Sequence, residues 1–365
     1  MKKTHALLPA ALLAALGGLA GGTDAHAATY LLTAARPNQL VLVNATERKV
    51  ERTYPIPGDG IPSVVALSPD SCIAYVLTNR WESVSGIDLD TGKEVFRADM
   101  SEPGLRVKTM FAMTVSADGK ELYVHQIPTR LKATEYQVEP TRIAVYDTAA
   151  GLGARPKKTF PAPRSIVQLL PARDGGRVYA LGRELFAFDT HTGQLAETLP
   201  LQSWKQPNLS APDVLAVWPQ WEQSGVFATP YYAARTDLPA DSPEAFRTGL
   251  LTLDLKTGAM KATDFEPTAV VIFSSVINPV KHDEAFSVYT QLSKIDLAGG
   301  RVAKRIDLEH TYYSINMSAD GKEVYVGGAL GDIAVYSSDT LEKLATIPLP
   351  GGVNMSTASM RVVQR

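Results

Sequence analysis

Apolar and polar positions alternate in short runs along most of the chain, and the runs recur in a fixed order. The last unit shows this most plainly. Between Ser318 and Ile347 an Asp320-Gly321 dipeptide precedes Glu323-Val324-Tyr325-Val326, then Ile333-Ala334-Val335-Tyr336 after a Gly331-Asp332 break, then Leu341 to Ile347. Glycine supplies the positive φ that a hairpin turn demands, while β-branched and aromatic residues suit a pleated, half-buried surface. One more apolar stretch lies before each such turn, as in Tyr313-Ser314-Ile315-Asn316-Met317 or Ser63-Val64-Val65-Ala66-Leu67. Each unit is thus a four-stranded meander. A sheet this small cannot bury its apolar faces alone, so copies must pack against one another.

Seven copies follow, with Asn44, Asp88, Asp147, Asp189, Asp254, Asp296 and Tyr336 as markers spaced by 44, 59, 42, 65, 42 and 40 residues. A period in the forties with four strands per unit predicts a propeller. The first unit lacks a front strand, and Ser356 to Val363 is left over at the C-terminus. The tail is therefore expected to complete the first blade and close the ring, which removes an open sheet edge. The expected fold is all-β: a single seven-bladed β-propeller domain over residues 28–365, with four antiparallel strands per blade.

Up-and-down connectivity sorts the links by face. The tight Asp-Gly and Thr-Gly turns fall at one end of the blades. Long irregular loops are expected at the other, within Gln126 to Thr141, Pro230 to Gly249, Ser101 to Lys108 and Gln202 to Asp213. Loops of that length in a compact fold usually carry function. This elaborated face is where function is expected.

Composition narrows the setting. Lys2 and Lys3, the apolar run Ala6 to Ala20 and the small-x-small Ala25-His26-Ala27 read as a signal peptide over residues 1–27, which predicts export to the periplasm. Without Lys2, Lys3 and Asp24, 34 basic and 37 acidic side chains remain, near −3 in net charge. So slight a balance argues against nucleic acid or an anionic membrane surface as partner. Cys72 is the one cysteine, which excludes an internal disulfide, a Cys-x-x-Cys-His haem site and thiolate metal sites. In Ser71-Cys72-Ile73-Ala74-Tyr75-Val76 it reads as a small core hydrophobe.

Candidate chemistry is sparse. His191 and His282 have no partner at metal-ligand spacing, His125 and His310 near the elaborated face read as satisfied or solvated histidines, and the strand-end acids are explained by turn hydrogen bonds. No nucleophile elbow, phosphate loop or EF-hand is present. No catalytic, cofactor-binding or metal residue is assigned. The segment Val217 to Asp237 and Trp204 together hold three of the four tryptophans. Aromatics with an arginine are the usual anchors of protein interfaces, so Trp204, Tyr231, Tyr232 and Arg235, with Tyr312 and Tyr313, are partner-interface candidates. For Trp218 and Trp221 the competing reading is packing between blades.

The strand Tyr75-Val76-Leu77-Thr78-Asn79 resembles the bacterial seven-bladed propellers with a Tyr-Val-x-x-Asn-type repeat. Arg36 to Asn44, Ser68-Pro69-Asp70 through Gly92, and Trp218 to Asp237 resemble the beta subunits of quinohemoprotein amine dehydrogenases, over essentially the whole mature chain. That resemblance implies a periplasmic complex that oxidises primary amines to aldehydes and passes electrons to a small periplasmic acceptor. A dihaem cytochrome c subunit would carry haem c, and a small subunit would carry cysteine tryptophylquinone. The propeller would hold no cofactor. The alternatives are an exported stand-alone propeller acting as a binding module and a stand-alone enzymatic propeller, which would want a metal or clustered acids at the central channel.

Overall fold

A computed structural model describes residues 28–218, 220–355 and 357–364. The signal-peptide expectation for residues 1–27 lies outside the described residues. Seven antiparallel blades of four strands each follow one another around a ring, the sheet of blade 3 carrying two strands more. Blade 1 is closed by the C-terminal strand Met360–Gln364, which pairs with Thr29–Ala35 in the register Tyr30 to Val363 and Leu32 to Arg361. The leftover tail thus supplies the innermost strand of the first blade. Blades 2, 3, 4, 6 and 7 begin at the channel with Val65–Leu67, Met113–Val115, Gln168–Pro171, Ile272–Ile277 and Ser314–Met317. No described helix is long and apolar enough to cross a membrane.

The inner strand Ser314–Met317 is buried throughout, whereas the outermost strand of the same blade, Lys343–Pro348, is mostly exposed. Seven apolar clusters lie among the buried residues, one for each neighbouring pair of blades. This is the outcome the pattern demands, since each small sheet buries both faces only against its neighbours.

The plain face is built from one repeated turn. In blades 2, 3 and 7 a serine hydroxyl donates to the aspartate two residues on: Ser68 to Asp70, Ser116 to Asp118 and Ser318 to Asp320, at 2.5, 2.7 and 2.6 Å. The same hydroxyls accept the N–H of Ile73, Glu121 and Glu323, the residues that open the next strand. The Ser68 and Ser116 hydrogen bonds hold the Asp70 and Asp118 carboxyls below the usual range. Gly321 takes φ +71° in this turn, which a side chain would resist. Cys72 is not in the core: it sits half-buried in the blade 2 turn, its Sγ 3.6 Å from the Asp70 carbonyl oxygen.

The opposite face departs from expectation in one respect. Two of its supposed loops are partly strand. Glu121–Leu131 runs beyond blade 3 and pairs there with Leu105–Lys108 and Tyr136–Val138, forming a small projecting sheet. In blade 5, Val226–Ala234 and Phe246–Asp254 stay paired out to Ala234 and Phe246. Pro128 and Pro230 suggest loops, but each lies in a strand: Pro128 is opposite Val107 in the projecting sheet, and Pro230 opposite Leu250 within blade 5 itself.

Candidate functional site

Blade 5 has the least regular inner strand. Only Asp213–Val214 pairs with its neighbour, after which the chain leaves the sheet. The following residues cross the central channel. Gln168 of blade 4 donates to the carbonyls of Ala216 and Val217 at 3.0 and 3.1 Å. Gln220 accepts from Asn316 of blade 7 at 2.9 Å, and Gln223 reaches the Val362 carbonyl of blade 1 at 3.4 Å. A segment rooted in blade 5 that bonds to the inner strands of blades 4, 7 and 1 is a plug.

Arg361 of the closing strand latches it. Its guanidinium donates to the Val65 carbonyl at 2.7 Å and to Glu222 at 2.7 Å, and lies 4.9 Å over the Trp221 ring. Burial lowers the Arg361 pKa and the Glu222 charge opposes that shift. Paired, hydrogen-bonded and stacked, the cation meets the conditions for a buried charge. What remains of the channel is a cavity of about 550 Å³, lined by the Ser68–Ser71 turn, Arg173 and the Trp221–Gln223 stretch. Among the described residues no group of three or more His, Cys, Asp or Glu could hold a metal ion.

Towards the elaborated face, Trp218 joins a stack of near-parallel rings. It lies 5.8 Å from Phe273 and 5.5 Å from Tyr313, and Phe273 lies 3.9 Å from Tyr289. Trp221 packs against the apolar cluster between blades 4 and 5, as the competing reading had it, while Trp218 stacks on the rings of Phe273 and Tyr313. Neither Asn316 nor Arg361 was a candidate. The signal available was a large polar side chain, Asn316 or Arg361, within each of two inner strands, Ser-Ile-Asn-Met and Met-Arg-Val-Val.

The six interface candidates divide by burial. Tyr231 is 2% and Tyr312 0% exposed. Tyr231 stands on a strand, not in a loop, with Trp204 edge-on at 5.1 Å and its hydroxyl 3.4 Å from Asp264. It faces Gly249 across the ladder, where any Cβ would overlap its ring. Burial, then Asp264, raises its pKa. Tyr232 ties blade 5 to blade 6: its hydroxyl accepts the Ile272 N–H at 2.6 Å and donates to the Ile272 carbonyl at 3.0 Å. Trp204 donates to the Ser210 carbonyl at 2.9 Å, and Arg235 makes a two-pronged contact with Asp237 at 2.7 and 2.5 Å. Tyr313 belongs to the ring stack and is half-buried.

Tyr312 is part of a polar group missed as a unit. Its hydroxyl donates to Asp332 at 2.9 Å, and His310 Nε2 lies 3.0 Å from the other carboxylate oxygen. Burial first, then Asp332, raises the Tyr312 pKa. His125 is fully buried, with Nε2 2.9 Å from the Pro163 carbonyl. Burial pushes its pKa down to about 4, so it stays neutral at pH 7. His191 lies in the plain-face turn after Asp189, and His282 contacts the Pro279 carbonyl at 3.2 Å.

The strongest asymmetry is in what is exposed. Of the thirteen large apolar side chains exposed among the described residues, eight stand on the elaborated face: Ile61, Met110, Leu131, Tyr136, Val138, Phe246, Val271 and Leu330. Phe246, Val271 and Leu330 belong to blades 5, 6 and 7, the sector of the ring stack and of Arg235. Met110, Leu131, Tyr136 and Val138 belong to blade 3 and its projecting sheet.

No protein-family model matches the sequence, and no curated protein matches it. Solved structures do resemble it. Hydrazine synthase of Kuenenia stuttgartiensis superposes with a TM-score of 0.55 at 15% identity, over 86% of this chain and 90% of that one. A functionally unknown protein from Desulfotomaculum acetoxidans DSM 771 superposes with a TM-score of 0.60 at 8% identity, over 92% and 99%. At such identities the likeness is one of architecture: the chain is a seven-bladed β-propeller.

Proposed function

We propose that this chain is a cofactor-free propeller subunit of a periplasmic amine dehydrogenase complex that oxidises primary amines to aldehydes. In this reading its elaborated face, in the sector of blades 5 to 7, seats a small subunit carrying cysteine tryptophylquinone beside a dihaem cytochrome c subunit. The observation that carries the docking role is the concentration of exposed apolar side chains on one face, with Phe246, Val271 and Leu330 around a half-buried aromatic stack. The nature of the complex rests on the sequence resemblance alone. When bound on its own subunit the quinone would supply the electrophile for the amine. The residues of this chain would position that subunit and exclude water from the contact.

The test is purification of the native protein from its host periplasm. Co-purification of c-type haem absorbance and a small quinone-staining chain, both lost with Phe246→Ser and Leu330→Ser, supports the reading. A colourless single chain contradicts it and favours a stand-alone binding propeller.

A further inference from the structure

A second feature of the elaborated face lies away from blades 5 to 7. Strand register places Ile127, Thr129 and Leu131 on one side of the projecting sheet, level with Lys108, Arg106, Tyr136 and Val138 on the flanking strands. The other side carries Val107 and Pro128, both buried. One side of this sheet therefore packs onto the ring while the other is left open. Opposite the open side stands Trp81, and Met110 closes one end. The space between is a groove of about 540 Å³.

The groove has been shaped at a conformational cost. Asn79, Arg80 and Trp81 are three consecutive residues at positive φ (50°, 55° and 69°), and Phe111, 5.9 Å from Trp81, is at 68°. Left-handed backbone disfavours each such side chain by about 1 kcal/mol or more, and such strain persists where the surroundings fix it, commonly at binding sites. Here it sets the indole into the wall.

Charge decides what would fill the groove. Arg106 and Lys108 approach the same oxygen of Glu82, at 3.2 and 3.7 Å. Glu82 is buried, while Arg106 is half exposed and Lys108 nearly so. Two cations share one carboxylate at the edge of an apolar slot, so the local balance is positive. Volume, aromatic wall and a few converging polar groups are the marks of a small-molecule site.

We propose that the groove between Trp81 and the projecting sheet of blade 3 binds a small apolar anion, an arene or alkyl carboxylate or sulfonate, with its hydrocarbon against Trp81, Ile127 and Tyr136 and its charge on Arg106 and Lys108. This site is separate from the docking sector and does not depend on the amine dehydrogenase reading.

The test uses the full mature chain and three probes of similar size: 2-naphthoate, neutral 2-naphthamide and cationic 2-naphthylmethylammonium. Calorimetry should show one site for naphthoate, at least tenfold tighter than for the amide, with the cation weakest. Arg106→Gln with Lys108→Gln should reduce naphthoate to the level of the amide. Tyr136→Ser should weaken both by severalfold, with the melting temperature unchanged. Equal affinity for all three probes, insensitivity to the glutamine pair, or no binding of naphthoate would each overturn the proposal. The last result, together with protection of the groove in a purified native complex, would assign it to a protein partner instead.

Discussion

Blades 5 and 7 start from the same four-strand plan and diverge at the channel. Blade 7 keeps its inner strand, Ser314–Met317, and turns tightly through Ser318 and Asp320. Blade 5 gives up its inner strand after Val214, places Ala216, Val217, Gln220 and Gln223 against other blades across the channel, and lengthens its middle strands to nine residues each. The plain-face turn of blade 7 is held locally, by hydrogen bonds within a few residues of sequence. Blade 5 depends on residues that only ring closure brings near. The difference separates what a repeat provides from what its position in the ring provides.

The contrast can be broken most severely at Tyr231. Tyr231→Ala removes the buried ring that packs against Trp204 and opposite Gly249. A loss of about 4 kcal/mol in urea unfolding is expected, and a near-neutral result would place the ring outside the core. Next comes the latch. Arg361→Ala should cost about 3 kcal/mol, because it leaves the Val65 carbonyl and Glu222 without their guanidinium. Glu222→Gln should cost clearly less, since that carboxyl is 30% exposed. Equal costs would show that the pair does not hold the plug.

Blade 3, the other elaborated blade, gives a pH-dependent version. With a folded pKa of about 4 against an unfolded value near 6.5, His125 favours the folded state fully above about pH 6.5. That contribution is lost as pH falls towards 4. Unfolding free energy should therefore drop by about 2–3 kcal/mol more between pH 7 and 4 in the wild type than in His125→Leu. Parallel pH profiles would contradict burial as the cause. The smallest effect is expected in the regular blade. Ser318→Ala removes the bonds to Asp320 and the Glu323 N–H and should cost about 1 kcal/mol. A cost matching that at Tyr231 would erase the distinction between the two blades.

These magnitudes follow the division between what was legible in the sequence and what was not. The seven blades and the closing tail could be read because turn chemistry and strand alternation act over a few residues. The plug could not. Gln220 and Glu222 find their partners at Asn316 and Arg361, about a hundred residues or more away in sequence, and nothing local announces the meeting. Tyr231 was misplaced for a related reason: Pro230 and two tyrosines suggest a loop, yet the strand continues because Phe246–Asp254 pairs with it throughout. The elaborated face was located correctly by topology, but its exposed apolar residues, Phe246 and Leu330 among them, were invisible without the fold. The His310–Asp332–Tyr312 group is likewise a product of the 2–3 link of blade 7 meeting the chain before its inner strand.

The central claim is that the sector of blades 5 to 7 on the elaborated face seats a partner. Hydrogen exchange of the isolated chain against the natively purified assembly tests it most directly. The account predicts added protection around Phe246, Val271 and Leu330, and none at the Ser68, Ser116 and Ser318 turns. Protection confined to those turns, or an unchanged profile in an assembly that contains other subunits, would contradict it.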